Sequence, residues 1–308
     1  MKKPQKPITP TEYRKVASEA HILILDGLAS QTPWSVEDLS FQGGTSLALV
    51  FDSPRFSEDL DFIVREDLEF SKHMQKVRRH VEEGLQGNFP GSSVLMKVKE
   101  GEQQNVYTFA VELPFTLGKV KVKSEFWKVK DEYLKAYDHT YRQVVRRGNI
   151  ELQIPAASLE QIFADKMVAL GARERFKWRD AFDLWFLKEA QIDIFSTGES
   201  FVSWTEKTLS LYNTAPDALK DGWMQLYDMP NNELFELAEK DLKPFLSEEL
   251  WKKLYPNHIQ DMVLNMKQKL EEAMGLWPPV SYQGLTSEEF KDALHHKNKE
   301  QKEEKHGL

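Results

Sequence analysis

The pattern of apolar and polar positions changes character about halfway along the chain. In the first half, short runs of alternating apolar residues, typical of β-strands, are separated by stretches with a helical period. From Ser158 onward nearly every segment has the helical period and is rich in Trp, Leu and Phe. The pattern predicts an α/β domain over residues 1–155 and an α-helical domain over residues 156–308. The charged tail from about residue 297 has few apolar residues, and we expect it to be mobile.

The same pattern places the elements of the first half. It predicts helices over residues 11–28, 45–51 and 69–85, with Thr11 as the cap of the first. It predicts strands over residues 39–42, 59–64, 93–98, 106–113, 119–126, 142–145 and 151–154. Leu60, Phe62 and Val64 alternate along the second strand and should face the core.

A glycine pair, Gly43-Gly44, lies between a predicted strand and a predicted helix and is followed by Thr45 and Ser46. Glycines in this position let the backbone approach a phosphate, whose charge the first-turn N–H groups can bind. The two hydroxyl groups add donors. A tight turn with no ligand is the more common role of such a pair, and both interpretations stay open at this point.

Two aspartates, Asp59 and Asp61, occupy alternate positions of the next predicted strand. Their side chains should share a face, with Cα atoms ~7 Å apart by the strand rise. Like charges held this close repel unless a cation lies between them, so the spacing indicates a divalent metal. The alternatives are a solvated strand face or salt bridges to nearby lysines. Because the apolar Ile63 shares the face, we favour the metal.

The second half contains charged residues at positions that should be buried. Lys166 lies within the apolar stripe of the helical segment 159–173, and Arg173 continues the stripe. Asp180 and Asp183 lie on a helix that is apolar nearly all round. We expect Lys166 to pair with a buried anion, which is a carboxylate or a ligand phosphate, although a lysine with its stem on apolar surface is an alternative. For Asp183 a purely structural ion pair is an alternative, whereas for Lys166 and Asp180 we favour a functional role.

Residues 119–130 contain five lysines and one glutamate, Glu125. Alternation places Glu125 on the same face as Lys121 and Lys123, so an exposed basic face is the first interpretation and a third metal carboxylate the second. With Phe126 and Trp127 inside the run, this segment has the composition of a surface for an RNA backbone and a stacked base.

Composition narrows the possible classes of protein. The 308 residues carry a formal net charge of −8 and contain no cysteine, which excludes disulfides and thiolate-bound zinc. The acidic charge disfavours a protein that coats nucleic acid, although a local basic surface stays possible. No apolar run has the length of a membrane span, and no segment has the pattern of a signal peptide. We therefore expect a cytoplasmic protein without membrane contact.

Four motifs, in this order, resemble the AbiEii/AbiGii-type toxin nucleotidyltransferases of the DNA polymerase β-like nucleotidyltransferase superfamily. The similarity covers roughly residues 10–190. The motifs are Gly43-Gly44-Thr45-Ser46, then Arg55-Phe56-Ser57-Glu58-Asp59-Leu60-Asp61, then Asp165-Lys166 with Arg173, and then Arg179-Asp180-Ala181-Phe182-Asp183.

The resemblance implies a minimal nucleotidyltransferase core with a mixed β-sheet, followed by an α-helical C-terminal domain. It implies Mg²⁺ or Mn²⁺ held by the catalytic residues Asp59 and Asp61, with Glu125 as a possible third ligand. It also implies that Asp180 is the catalytic acidic residue of the second domain. The residues implied around a nucleoside triphosphate are Gly43, Gly44, Thr45, Ser46, Arg55, Ser57, Lys166, Arg173 and Asp183, of which Lys166 is also catalytic.

The resemblance also implies a function. Such proteins are toxins of toxin–antitoxin or phage-defence systems. Some transfer a nucleotide to the 3′ end of tRNA, and the usual partner is a winged-helix antitoxin. Two alternatives stay open from the sequence: a nucleotide-binding regulatory protein with this fold and no transfer activity, and a transferase that modifies a protein hydroxyl.

Overall fold

The structure is a computed structural model that describes residues 6–114, 116–144, 152–192, 194–195, 198–212 and 214–306. The chain divides into two compact units, Met1–Ser158 and Leu159–Leu308. Val145 and Glu151, at the ends of two predicted strands, lie outside the described residues, as do the last two residues of the predicted tail.

The elements of the N-terminal unit are β1 (Lys6–Pro7), α1 (Pro10–Gln31), β2 (Leu39–Gln42), α2 (Gly43–Val50), β3 (Leu60–Arg65), α3 (Ser71–Asn88), β4 (Ser93–Glu100), β5 (Gln104–Glu112), β6 (Thr116–Leu117), β7 (Val120–Val129), α4 (Asp131–Ala136), β8 (His139–Gln143) and β9 (Gln153–Ala157). Seven of the strands form a mixed sheet in the order β4-β5-β7-β3-β2-β9-β8. The β3/β7 and β2/β9 pairs are parallel and the other neighbours are antiparallel. The expected α/β fold with a mixed sheet is therefore confirmed.

The first helix begins earlier than the sequence pattern suggested. Its cap is Thr9, not Thr11: the Thr9 hydroxyl accepts a hydrogen bond from the backbone N–H of Glu12, and the Glu12 carboxylate accepts one from the Thr9 N–H. Pro10 follows at the first helical position, where its missing N–H costs nothing. This reciprocal capping satisfies two backbone donors at once, which explains why Thr9 and not Thr11 caps the helix.

The core of this unit lies between the sheet and the helices α1 and α3. Leu60, Phe62 and Val64 of β3 are fully buried there, as the alternation predicted. Phe62 stacks on Phe126 of β7 at a centroid distance of 4.8 Å. Because side chains alternate along a strand, the residues between these point to the opposite face of the sheet. That face carries the candidate chemistry.

The C-terminal unit is helical, as predicted. Its helices are α5 (Leu159–Ala172), α6 (Trp178–Glu189), α7 (Gly198–Leu209), α8 (Pro216–Asp228), α9 (Asn231–Asp241), α10 (Glu248–Leu254), α11 (Asn257–Leu276) and α12 (Ser287–His306), with short 3₁₀ turns at Lys243–Phe245 and Val280–Tyr282. The charged segment from residue 297 therefore continues α12 as far as His306.

Close helix packing organises this unit. A Cβ atom on Gly171 of α5 would lie 2.5 Å from the Leu219 carbonyl oxygen, and the backbone of Gly171 likewise leaves no room for one on Gly222 of α8. The buried Trp223 donates its indole N–H to the carbonyl of Met167, 2.7 Å away. Small residues thus allow α5 and α8 to approach closely and share a hydrogen bond. In the part of the chain that the structure describes, no helix combines the length and apolar character of a membrane span.

Candidate active site

The two glycines occupy the first turn of α2, directly after β2. Gly43 has φ +76, a backbone conformation that favours glycine, and a Cβ atom there would lie 2.7 Å from Oδ2 of Asp61. A Cβ atom on Gly44 would overlap the guanidinium of Arg55. Charged side chains of the site thus pack directly on the backbone of both residues, and at Gly43 the backbone conformation favours glycine as well.

Two side chains hold the backbone just before β3. The Thr45 hydroxyl donates a hydrogen bond to the carbonyl oxygen of Asp59. The Nε2 atom of His21, on α1, lies 2.8 Å from the carbonyl oxygen of Glu58. Complete burial lowers the pKa of His21 to about 4, although the Glu58 carbonyl and the Asp59 charge oppose this shift. The imidazole is therefore neutral near pH 7 and donates through Nε2.

His21 is a residue that the sequence did not single out. It lies in the apolar run from Ala20 to Leu25, and its exposed fraction is 2%. A histidine in such a run needs a polar partner. That requirement was the available signal, but the pattern gave no means of identifying Glu58 as the partner.

The carboxylates of β3 and β7 are neighbours in the sheet. Asp61 of β3 is the register partner of Glu125 of β7, in a parallel pair. Register partners point to the same face, and Asp59 shares that face by alternation. The sheet thus places Glu125 on the face of the two predicted metal ligands, where a third carboxylate would lie.

A lysine lies beside these carboxylates. The Lys123 ammonium is 4.0 Å from Oδ2 of Asp59 and 3.9 Å from Oε1 of Glu125. The Gln104 amide donates to Oε2 of Glu125 at 2.9 Å. The salt-bridge interpretation of Asp59, one of the alternatives above, therefore describes the arrangement of these side chains.

The donor set of this face suits Mg²⁺ or Mn²⁺, because both favour carboxylate oxygens. Mg²⁺ commonly takes one or two carboxylates and completes its shell with water and substrate phosphates. Within the described residues, no three or more His, Cys, Asp or Glu side chains stand close enough together to hold a metal ion. Asp59 and Asp61, with Glu125 beside them, fit the Mg²⁺ pattern of few protein ligands.

Other predicted nucleotide contacts lie beneath the surface. Ser46 is fully buried, and its Oγ atom has no hydrogen-bond partner among the described residues. Arg55 is 3% exposed and donates from Nη1 to the carbonyl oxygen of Phe56 at 3.2 Å. Ser57 is buried as well. The contact of these three buried side chains with a nucleotide stays a prediction.

The predicted charged residues of the C-terminal unit form one cluster around the buried carboxylates of Asp180 and Asp183. The Lys166 ammonium lies 2.7 Å from Oδ1 of Asp180 and 2.8 Å from Oδ2 of Asp183. The Arg173 guanidinium pairs with the other oxygen of Asp180. Asp183 is fully buried, and Lys166 is 8% exposed. The anions that pair with Lys166 here are therefore carboxylates. The catalytic and nucleotide-binding roles implied for these residues stay predictions.

The basic strand β7 carries one exposed and one buried aromatic residue. Phe126 is fully buried in the core, so the interpretation that it stacks on a base is wrong. Trp127 is 41% exposed on the opposite face, where its register partner on β3 is Ile63. Trp127 therefore lies on the same face as Asp61, and it is the aromatic residue of the run that can stack on a base.

Comparison with known proteins gives a family and a fold. The family model described as "Nucleotidyl transferase AbiEii toxin, Type IV TA system" matches residues 26–294. JHP933 from Helicobacter pylori has 19% sequence identity and a TM-score of 0.50, covering 94% of this chain and 98% of that one. MenT4, a nucleotidyltransferase toxin from Mycobacterium tuberculosis H37Rv, has 15% identity and a TM-score of 0.51, covering 93% and 98%. A comparison with curated proteins gives no match.

These findings agree with the order of motifs along the chain. At such identities the two solved structures show a shared fold. The family model extends over most of the chain, including the glycine turn, the aspartates of β3 and the charged cluster of α5 and α6. The protein therefore belongs to the AbiEii family of nucleotidyltransferase toxins from type IV toxin–antitoxin systems.

Proposed function

We propose that this toxin transfers a nucleoside monophosphate from a nucleoside triphosphate to the 3′ end of an RNA such as tRNA. The observation that supports it most is the shared face of Asp59, Asp61 and Glu125, next to a glycine turn whose backbone lies against Asp61. Asp59 and Asp61 would hold Mg²⁺ or Mn²⁺, and the neighbouring Glu125 is the candidate for a third ligand. When bound, such an ion neutralises phosphate charge and lowers the pKa of an attacking hydroxyl.

The chain's own residues have distinct tasks in this reaction. The first-turn N–H groups of α2 point toward the triphosphate and bind its charge. Thr45 and His21 fix the backbone that carries Asp59, which keeps the carboxylates in place during an in-line transfer. Such positioning and charge neutralisation supply most of the rate in phosphoryl chemistry. The roles of Lys166 and Asp180 in contacting the triphosphate follow from the family resemblance.

The acceptor would approach over the basic face of the sheet. Lys99 of β4 lies in register with Val106, which in turn lies in register with Glu125. Lys97 lies in register with Thr108, and Thr108 with Lys123. Exposed lysines therefore extend from the carboxylates to the edge strand on one face. Lysines that contact phosphates, together with Trp127 to stack on a base, are the elements of single-strand RNA binding.

The decisive experiment incubates the purified protein with total tRNA, Mg²⁺ and each nucleoside triphosphate separately, radiolabelled at the α-phosphate. We expect the wild type to label RNA and Asp61→Asn to lose the labelling. The matched control is Asp67→Asn, because Asp67 follows the same strand but its side chain is 67% exposed and pairs with Arg65. A wild type that labels no RNA with any nucleotide, or labels a protein instead, contradicts the RNA acceptor.

The acceptor surface has its own test. Trp127→Ala should weaken binding of single-stranded RNA by roughly 5- to 100-fold, the scale of one lost stacking interaction, while nucleotide binding is retained. The control is Tyr141→Ala, because Tyr141 is 50% exposed on β8, at the other end of the sheet from β4. Equal losses for both variants would remove Trp127 from the acceptor site.

The family is that of toxin–antitoxin systems, so an antitoxin partner belongs to the proposal. We infer that this partner is a winged-helix protein, that the pair serves in phage defence and that the toxin acts in the cytoplasm, where tRNA is found. Expression of the toxin with and without the neighbouring reading frame checks the pairing. Growth arrest that the neighbour does not relieve contradicts it.

A further inference from the structure

One lysine holds a position that the proposed metal chemistry does not use. Lys123 alternates with Glu125 along β7, so the two side chains share a face. Leu60 is the register partner of Ser124, which places Asp59 level with Lys123 on the neighbouring strand. The Lys123 ammonium lies 4.0 Å from Asp59 and 3.9 Å from Glu125. The sheet register itself therefore brings a cation between two of the three carboxylates.

This position conflicts with a bound divalent ion. A metal coordinated by Asp59 and flanked by Glu125 would lie within a few ångströms of the ammonium, and like charges at that distance repel strongly. The lysine side chain is 50% exposed on a flexible stem, so it is able to move into solvent. The site therefore has two charge-balanced arrangements: one with the ammonium between the carboxylates, and one with a metal there.

We propose that Lys123 is an internal counter-ion that competes with the catalytic metal. Its ammonium balances Asp59 and Glu125 before the metal arrives, and it withdraws when the metal binds. Lys123 is thus a positioning residue that weakens metal binding in the absence of nucleotide. This inference rests on the proposed metal-dependent function.

Direct metal binding tests it without any transfer reaction. Mn²⁺ binding is measured by electron paramagnetic resonance on the full chain, with and without a non-hydrolysable nucleoside triphosphate. Lys123→Met should bind Mn²⁺ about two- to fivefold more tightly than the wild type, the scale of an exposed ion pair. Lys123→Arg keeps the charge and should bind like the wild type. Lys121→Met is the matched control, because Lys121 shares the face but its register partner is Ala110.

Thermal unfolding separates this role from a merely structural one. Without metal, Lys123→Met should melt at a lower temperature than the wild type, because Asp59 and Glu125 lose their counter-ion. With saturating Mn²⁺ the two proteins should melt at about the same temperature, since the metal then supplies the charge. A structural lysine would lower the melting temperature equally in both conditions. Lys123→Gln repeats the measurement should the methionine variant not fold.

The failures of the two proposals can be told apart. If the wild type binds Mn²⁺ but Lys123→Met binds it no more tightly, the counter-ion role is wrong and the metal-dependent function stands. If the wild type binds no Mn²⁺ even with the nucleotide analogue, the metal-dependent function fails and the counter-ion role fails with it. Tighter binding by both Lys123→Met and Lys121→Met would indicate a general charge effect and overturn the specific role.

Discussion

The imidazole of His21 on α1 is joined to the carbonyl oxygen of Glu58, with 2.8 Å between Nε2 and the oxygen. This contact crosses from a core helix to the segment that leads into β3. The Thr45 hydroxyl binds the next carbonyl, that of Asp59. Two successive peptide groups, one on each side of the candidate metal ligand Asp59, are therefore fixed by side chains from two different helices. Rigid support of this kind is what a site of precise geometry requires.

Acid should destabilise the protein through His21. Burial lowers the pKa of His21 in the folded protein to about 4, from 6.5 in the unfolded chain. Between these values the unfolded chain binds a proton that the folded chain does not, so stability rises with pH through this window and is lost as the pH falls. At pH 4.5 the loss relative to pH 7 should be about 2–3 kcal/mol from this group. Urea unfolding at the two pH values measures it.

The control for this prediction is His21→Gln, because a glutamine amide offers a donor to Glu58 but does not titrate. The free energy of unfolding of the variant should fall by about 2–3 kcal/mol less than that of the wild type between pH 7 and pH 4.5. Parallel pH profiles for the two proteins would show that His21 is not the group responsible.

The sequence predicted the elements more completely than their contacts. Alternation predicted the buried face of β3, with Leu60, Phe62 and Val64 in the core, because that period is a local property of the chain. It placed Glu125 on the basic face but did not show that this residue lies beside Asp61. Strand order and register decide that neighbour, and they depend on contacts between distant parts of the chain. The environment of Lys123 was unknown for the same reason.

In the helical unit, too, the sequence predicted the elements but not the contacts between them. Helical periodicity predicted that Lys166 points inward and requires an anion. It did not distinguish a protein carboxylate from a ligand phosphate, since both satisfy that requirement. The packing of α5 against α6 brings Asp180 and Asp183 to Lys166, and this contact is tertiary. Alternation along β7 separates Trp127, on the face of Glu125, from Phe126, but tertiary packing decides that the Phe126 face is the buried one.

Replacing Gly43 with alanine should abolish transfer. The residue has φ +76, and a Cβ atom would stand 2.7 Å from Oδ2 of Asp61. The left-handed conformation costs an L-residue about 1–2 kcal/mol, and the methyl group would also displace the carboxylate. Gly43→Ala should therefore lose labelling of RNA while unfolding shows this moderate cost.

The matched control for Gly43 is Gly87→Ala, in α3. A Cβ atom there meets nothing within 4 Å, and alanine favours a helix over glycine by up to about 1 kcal/mol. We expect full activity and equal or higher stability. Retained transfer in Gly43→Ala would show that the approach of the Gly43 backbone to Asp61 is dispensable.

We expect different effects from removing the hydroxyl groups of the adjacent residues Thr45 and Ser46. Thr45→Val keeps the shape but removes the donor to the part-buried carbonyl of Asp59, which should cost about 1–2 kcal/mol and lower the rate of transfer. Ser46→Ala removes a buried hydroxyl that has no partner among the described residues, so its stability should change by less than about 0.5 kcal/mol and transfer should continue. Chemical denaturation and labelling of RNA measure both. A Ser46→Ala protein that is stable but inactive would instead support the nucleotide contact implied by the family resemblance.

Lys166 should be essential for stability whatever its role in transfer. Its ammonium lies within 2.8 Å of oxygens of two buried aspartates, Asp180 and Asp183, so Lys166→Met leaves carboxylate charge buried without this cation. Removing one partner from a buried ion pair costs about 3–5 kcal/mol. We expect that loss in the free energy of unfolding at pH 7. It should shrink on acidification, because protonation of the aspartates then removes the unbalanced charge.

The control is Lys188→Met, because Lys188 lies in the last turn of the same helix as both aspartates. A Lys166→Met protein that unfolds like the wild type yet fails to label RNA would show that Lys166 acts on the triphosphate and is not a structural cation.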